Sequence, residues 1–272
     1  MFPKKEDKIR FNLSPSSLNT FFQSPLLFYL TYIAKVPDDT KVPVCYGLSG
    51  NIVHDCLEKY AENQITKDEA YLLLLTEWEK KNLNYHKDIK GELLNPQDYL
   101  LALIKGLQIV DLHENHVCEE MIQFPLIENE YMKIGIKGII DLQAIEKSSN
   151  ENVIIDYKTS NNVNQSKDFE RQALFYNYLI NKKTSLIPQK TVFHYLKLNT
   201  PKEYSFSQLD LQAFEEELIM IAEQILEYGT KIENYPIGNI GDTFNSKKNA
   251  CEKELQRRTG YSNAKTFVQM RF

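Results

Sequence analysis

Cysteine is scarce in this 272-residue chain: there are four, and none stands in a C-x-x-C pair. Cys45, Cys56 and Cys118 are isolated in apolar or helical contexts and read as small core residues. Unpaired thiols of this kind fit a reducing compartment. No glycine-rich phosphate loop is present to suggest a helicase motor of the P-loop type. The densest apolar run, Leu26 to Ala34, is too short to span a bilayer, and the stretch Met1 to Lys8 lacks the apolar core of a signal peptide. The expectation is a soluble, cytoplasmic protein without repeats or low-complexity segments. Positive charge is not in excess either. A net charge of −5 argues against a protein that coats nucleic acid non-specifically, because phosphate contacts need local positive charge. With 42% hydrophobic residues the chain can bury a substantial core.

What is present is a pair of apolar runs that each end in a carboxylate. Val153-Ile154-Ile155 leads into Asp156-Tyr157-Lys158, and Ile139-Ile140 leads into Asp141. Side chains alternate along a strand, so Asp156 and Lys158 point to one side, about 6 to 7 Å apart along the chain. If the two runs pair as a hairpin across Lys147 to Glu151, Asp141 reaches the same edge. Two carboxylates beside an ammonium group suit a divalent cation and the hydrolysis of a phosphodiester. An Asp-x-Lys alone means little. Asp39-Thr40-Lys41 and Asp88-Ile89-Lys90 carry the same spacing in polar connections, and neither follows a strand. The ordinary alternative for Asp156 and Lys158 is a solvated ion pair at a strand end.

Three further segments carry weight. Gly50-Asn51-Ile52-Val53-His54 opens an amphipathic stretch, with Ile52, Val53, Cys56, Leu57 and Tyr60 at helical spacing. A lone histidine in such a helix is usually structural. Gln172 and Tyr176 stand four apart, on one face of a helix that otherwise looks like ordinary sheet packing. Ser14-Pro15-Ser16-Ser17-Leu18 reads as a capped helix start. The remaining pattern predicts helices over 16–33 with a break at Pro25, 47–63, 67–83 and 96–117. Strands follow over 119–127, 131–146 and 153–158, then a helix over 167–179 and a strand over 191–198. A strand at 204–206 and a long helix over 207–228 complete the order. The fold class is α/β: a mixed sheet with an antiparallel meander, flanked by helices, and an N-terminal helical elaboration. We expect one domain over 1–272, with a mainly helical part (14–117), an α/β core (118–236) and a basic C-terminal tail (237–272). Lys247, Lys248, Arg257 and Arg258 in that tail, with Lys253, Lys265 and Arg271 nearby, form a basic patch suited to DNA contact or simply to solvent.

In this order the segments resemble the RecB-like branch of the PD-(D/E)xK nuclease superfamily, over roughly Ser14 to Pro236. The matching motifs are Ser16-Ser17-Leu18-Asn19-Thr20-Phe21, Gly50 to His54, Gly138 to Asp141, Asp156 to Thr159, and Gln172 to Tyr176. The resemblance implies a restriction-endonuclease-like core. It implies Mg²⁺ or Mn²⁺ held by His54, Asp141, Asp156 and the Tyr157 carbonyl, with Lys158 as the catalytic lysine. Gln172, Tyr176 and Ser16 would bind or position substrate. Relatives in this branch often hold an iron–sulfur cluster with a cysteine just before the first-helix proline and three more near the C-terminus. Here Ser24 precedes Pro25, and Cys251 is the one cysteine after Pro236, so no iron–sulfur cluster is expected.

The implied activity is metal-dependent hydrolysis of DNA phosphodiester bonds in recombination, repair or processing, with exonuclease action on single strands or duplex ends the leading reading. Structure-specific endonuclease action is the runner-up, and a non-catalytic DNA-binding subunit of a recombination complex is the reading from another class. A helicase or recombination protein would be the expected partner.

Overall fold

The computed structural model describes residues 9–40, 45–88, 90–160, 163, 166–241 and 245–261. In chain order the elements are β1 (Ile9–Leu13), α1 (Pro15–Gln23), α2 (Pro25–Phe28), α3 (Cys45–Ala61), α4 (Lys67–Lys80) and α5 (Pro96–Asp111). There follow β2 (His113–Glu128), β3 (Met132–Glu146), β4 (Glu151–Lys158), α6 (Ser166–Thr184), β5 (Lys190–Tyr195), β6 (Thr200–Tyr204), α7 (Gln208–Tyr228) and α8 (Lys248–Thr259). The strands make a mixed six-stranded sheet of order β1-β3-β4-β5-β6, with β2 paired to β3. This is the expected α/β class. The chain divides into two compact units, one of 43–122 with 138–214, the other of 1–42 with 123–137 and 215–272.

In the first of these units, β4 runs antiparallel to β3 and parallel to β5. The β3–β4 turn falls within the run Lys147 to Glu151 expected to form it, β4 beginning at Glu151. Asn150 N–H donates to Glu146 O at 2.8 Å, and Asn150 takes a φ of 60°, a left-handed conformation that asparagine tolerates. β4 is buried from Val153 to Tyr157, as befits a central strand covered on both faces. Helices α3, α4 and α5 supply the apolar layer: Ile52, Val53, Leu57, Leu74, Trp78 and Leu103 join Leu142, Val153, Ile155 and Tyr157 in one core. Thr66 starts α4 with a capping box, its hydroxyl accepting from Glu69 N and the Glu69 carboxylate accepting from Thr66 N at 2.7 Å. Gly106 sets the α3–α5 crossing, because a Cβ there would lie 2.6 Å from Leu57 Cδ1.

In the other unit, β1 pairs in parallel with Met132–Ile136. The chain after Pro236 packs on the first helices. Leu26, Leu27, Leu30, Ile240, Cys251 and Leu255 form an apolar cluster. The Ser24 hydroxyl donates to Ile237 O, Leu26 N–H to Pro236 O at 2.9 Å and Asn239 N–H to Gln23 O at 2.7 Å. Leu255 is buried; Lys265 and Arg271 lie outside the described residues.

Helix α6 runs on to Thr184, β5 stops at Tyr195, and four further elements differ from the sequence reading in ways that bear on the fold. Helix α5 ends at Asp111 instead of 117, since His113, Asn115, His116 and Val117 are weak helix formers that pair as a strand instead. Strand β1 is short, and its partner lies far along the sequence. The last strand is 200–204, not 204–206; Pro201 is tolerated because β6 is an edge. The basic tail contains a helix, α8, whose N–H groups at Asn249 and Ala250 donate to the Asp39 carboxylate and whose end is the left-handed Gly260.

Candidate metal and nucleic-acid site

The site forms where β3 and β4 part. Their registered pairs end at Leu142 and Ile155, while β4 continues beside β5 through Asp156, Tyr157 and Lys158. The Asp141 carboxylate fills the opening: its Oδ2 accepts from Tyr157 N–H at 2.9 Å. The same oxygen lies 3.3 Å from His54 Nδ1 on α3. Gly50, one turn earlier, lets the helix come this close, because a Cβ there would be 2.9 Å from Thr159 Oγ1. The glycine and histidine therefore serve one purpose, the seating of α3 on the end of β4.

Asp156 is 2% exposed. Its Oδ1 is held in a 2.6 Å ion pair with Lys158 Nζ. Its Oδ2 accepts from Gln172 Nε2 at 3.0 Å. The Gln172 carbonyl accepts from Lys158 Nζ at 3.1 Å, and Gln172 Nε2 lies 2.7 Å from the Tyr176 hydroxyl. One amide thus fixes the acid, the ammonium group and the phenol together. Lys158 is further bounded by aromatic faces, its Nζ 5.0 Å from the Phe169 centroid and 4.9 Å from that of Phe193.

The structure brings His54, Asp141, Asp156, Lys158, Gln172 and Tyr176 into one cluster. Two neighbours were not singled out from the sequence. Glu119 sits on β2 with a φ of 45°, and one ligand atom each from His54, Glu119 and Asp141 lie within 4.8 Å of one another. Glu119, one of two adjacent glutamates, belongs to no motif, and the left-handed backbone at this position is invisible in sequence. Phe169 was within reach, since Phe169, Gln172 and Tyr176 share a helix face at spacings of three and four.

The other expected residues lie in the second unit. The Ser16 hydroxyl is 3.0 Å from that of Ser14 at the start of α1. Lys247 is buried and paired with Asp38. Arg257 and Arg258 both pair with Glu254, and Arg258 also donates to Tyr235 O at 2.7 Å. Lys248 is exposed. The other Asp-x-Lys stretches have structural duties: Asp39 caps α8, and the Asp88 carboxylate accepts from Lys90 N–H at 2.8 Å and Glu92 N–H at 2.9 Å in a tight turn.

Charge crowding shows in the titration of these groups. Burial alone would lower the His54 imidazole, but the Asp141 carboxylate outweighs it and raises the ring to about 9. Burial raises Asp156 to about 6 against the pull of Lys158, and burial with Asp141 nearby raises Glu119 to about 7. Asp141 is held below the usual carboxylate range, its burial offset by His54. The imidazole of His54 and the carboxylates of Glu119 and Asp141 at ligand spacing, with the Asp156 carboxylate beside them, fit a divalent cation of oxygen and nitrogen preference.

Among the curated proteins none matches. The solved structure described as "Crystal structure of SSO0001" aligns at 15% identity and a TM-score of 0.30, covering 72% of this chain and 84% of that one. The family described as "PD-(D/E)XK nuclease superfamily" matches residues 12–243, a span that includes every member of the cluster. The chain belongs to the PD-(D/E)XK nuclease superfamily, whose nucleases use divalent metals.

Proposed function

We propose that this protein is a DNA nuclease of the RecB-like branch, acting preferentially on single-stranded DNA from its ends. The observation that carries the reading is the Asp141, Asp156 and Lys158 cluster at the β3–β4 opening, joined by His54 from α3. His54, Asp141, Asp156 and the Tyr157 carbonyl would hold the cation, with Glu119 as a further carboxylate ligand on the strength of its spacing. The imidazole favours Mn²⁺ over Mg²⁺. The chemistry such a cation supplies when bound is a water of lowered pKa and a polarised phosphoryl oxygen.

The protein's own groups do the rest. Lys158, oriented by Gln172, places its ammonium beside the attacked phosphorus, where it orients water and offsets the negative charge that builds in the transition state. Gln172 also prevents Asp156 from turning away, and Tyr176 secures Gln172. The test is cleavage of end-labelled single- and double-stranded DNA in Mn²⁺, Mg²⁺ or EDTA. The expected result is a ladder shortening from one labelled end of the single strand, lost in EDTA. Internal cuts at branched junctions would replace the exonuclease assignment with an endonuclease, and metal-independent cleavage would contradict the site.

A further inference from the structure

Two clefts open on either side of the His54–Tyr157 wall, and their linings differ in charge. One is narrow and lined by Glu58, Glu119 and Asp141, the acids of the metal side. The other, of about 310 Å³, carries no carboxylate among its described lining residues; Tyr46, Asn51, Lys158, Thr159, Ser160 and Phe169 face it. Its volume lies at the lower end of the range for small-ligand sites, about 300 to 1,000 Å³. Before a cation binds, a polyanion meets repulsion on the first side, whereas with or without the cation it meets an ammonium, hydroxyls and an amide on the second. The second cleft also offers two aromatic rings, Tyr46 from α3 and Phe169 from α6, and an unpaired base stacks on such rings whatever its identity.

We infer that the acid-free cleft holds one unpaired nucleotide next to the scissile phosphate, its base against Tyr46 and Phe169 and its phosphate toward Lys158, Thr159 and Asn51. A cleft of this volume has room for one unpaired nucleotide, and would account for the single-strand preference proposed above. Gly50 keeps it open, because any side chain there displaces Thr159 from its floor. The inference rests on the nuclease reading above, and the two fail differently. Continued cleavage by Asp156→Asn removes the metal-site reading, whereas the cleft is read by equilibrium binding, which needs no turnover.

The experiment is fluorescence anisotropy with a short labelled oligothymidine and a blunt duplex of equal length, in Ca²⁺. Asn51 is exposed, so the near-isosteric Asn51→Asp introduces a carboxylate without a packing change. Asn51→Asp is expected to weaken single-strand binding several-fold at low salt, with the difference fading as salt rises. Tyr46→Ala is expected to weaken it about tenfold and Tyr46→Phe to preserve it, the duplex being unaffected in both. Wild-type protein serves as a second probe: an abasic residue moved along the oligonucleotide is expected to reduce affinity at one position only. Unchanged single-strand affinity in Asn51→Asp and Tyr46→Ala, equal losses on single strand and duplex, or a position-independent abasic effect would each overturn the assignment.

Discussion

Lys158 is restrained by an ion pair to Asp156, a hydrogen bond to Gln172 and the faces of Phe169 and Phe193. A lysine side chain ordinarily keeps many rotamers, and each restraint removes some before substrate arrives. Gln172 is the shared partner, so its loss should act on turnover more than on binding. Gln172→Ala is expected to lower kcat by up to about 10²-fold through misplacement of Lys158 and to raise the Mn²⁺ requirement through the lost bond to Asp156, with the DNA KM near wild type. An unchanged kcat would show that the amide is incidental. Glu119 makes a separate prediction. As a ligand, its conversion to Gln should raise the Mn²⁺ concentration for half-maximal activity by at least about tenfold, because even residues outside the ligand shell shift metal affinity that much. A titration superimposable on wild type would remove it from the ligand set.

At the scale of elements, α3 and α8 do different work. Helix α3 delivers Gly50 and His54 to the end of β4, and the layer behind it depends on α4 and α5. Removing the α4 cap with Thr66→Ala should lower stability by about 1 kcal/mol without touching the site, measurable by denaturant titration. Helix α8 holds its unit together through Cys251 and Leu255, both buried. Leu255→Ala is expected to destabilise by about 2 to 5 kcal/mol as the cluster with Leu26 and Ile240 loses its filling. A loss under about 0.5 kcal/mol, the size of an ordinary surface effect, would mean that the tail is not part of that core.

Over the whole molecule, the second unit carries a charge network around the buried Glu254 with its own pH signature. The Arg257 and Arg258 hydrogen bonds hold Glu254 down to about 2. An unfolded glutamate titrates near about 4.3, so the folded state binds its proton more weakly. The stability this provides is complete above about pH 4.3 and is lost as pH falls toward 2. Melting temperatures of wild type and Glu254→Gln should therefore converge over that interval; a constant gap would assign the effect to packing alone. The sequence disclosed the core of the site because strand alternation and helix spacing are local: Asp156 and Lys158, Gln172 and Tyr176, and the β3–β4 turn at Asn150 all follow from neighbours in the chain. Glu119 and β1 were not legible because each depends on a distant strand, Glu119 through a backbone kink and β1 through its pairing with Met132–Ile136. Helix α8 was hidden by its composition, since a charged stretch reads as solvent-facing until Asp39 and the Leu26 cluster receive it.

The central claim is that the β3–β4 opening is a metal-dependent hydrolytic site and not a buried ion pair that merely stabilises the sheet. The most direct measurement is single-strand cleavage in Mn²⁺ by Asp156→Asn beside wild type, with the melting temperature of each. Activity reduced to the EDTA background at a melting temperature equal to or above wild type is the predicted result, because the substitution replaces a buried charge, next to the Asp141 carboxylate, by a neutral amide. Cleavage retained by the variant, or a protein that unfolds on losing the charge, would show that Asp156 is structural and contradict the account.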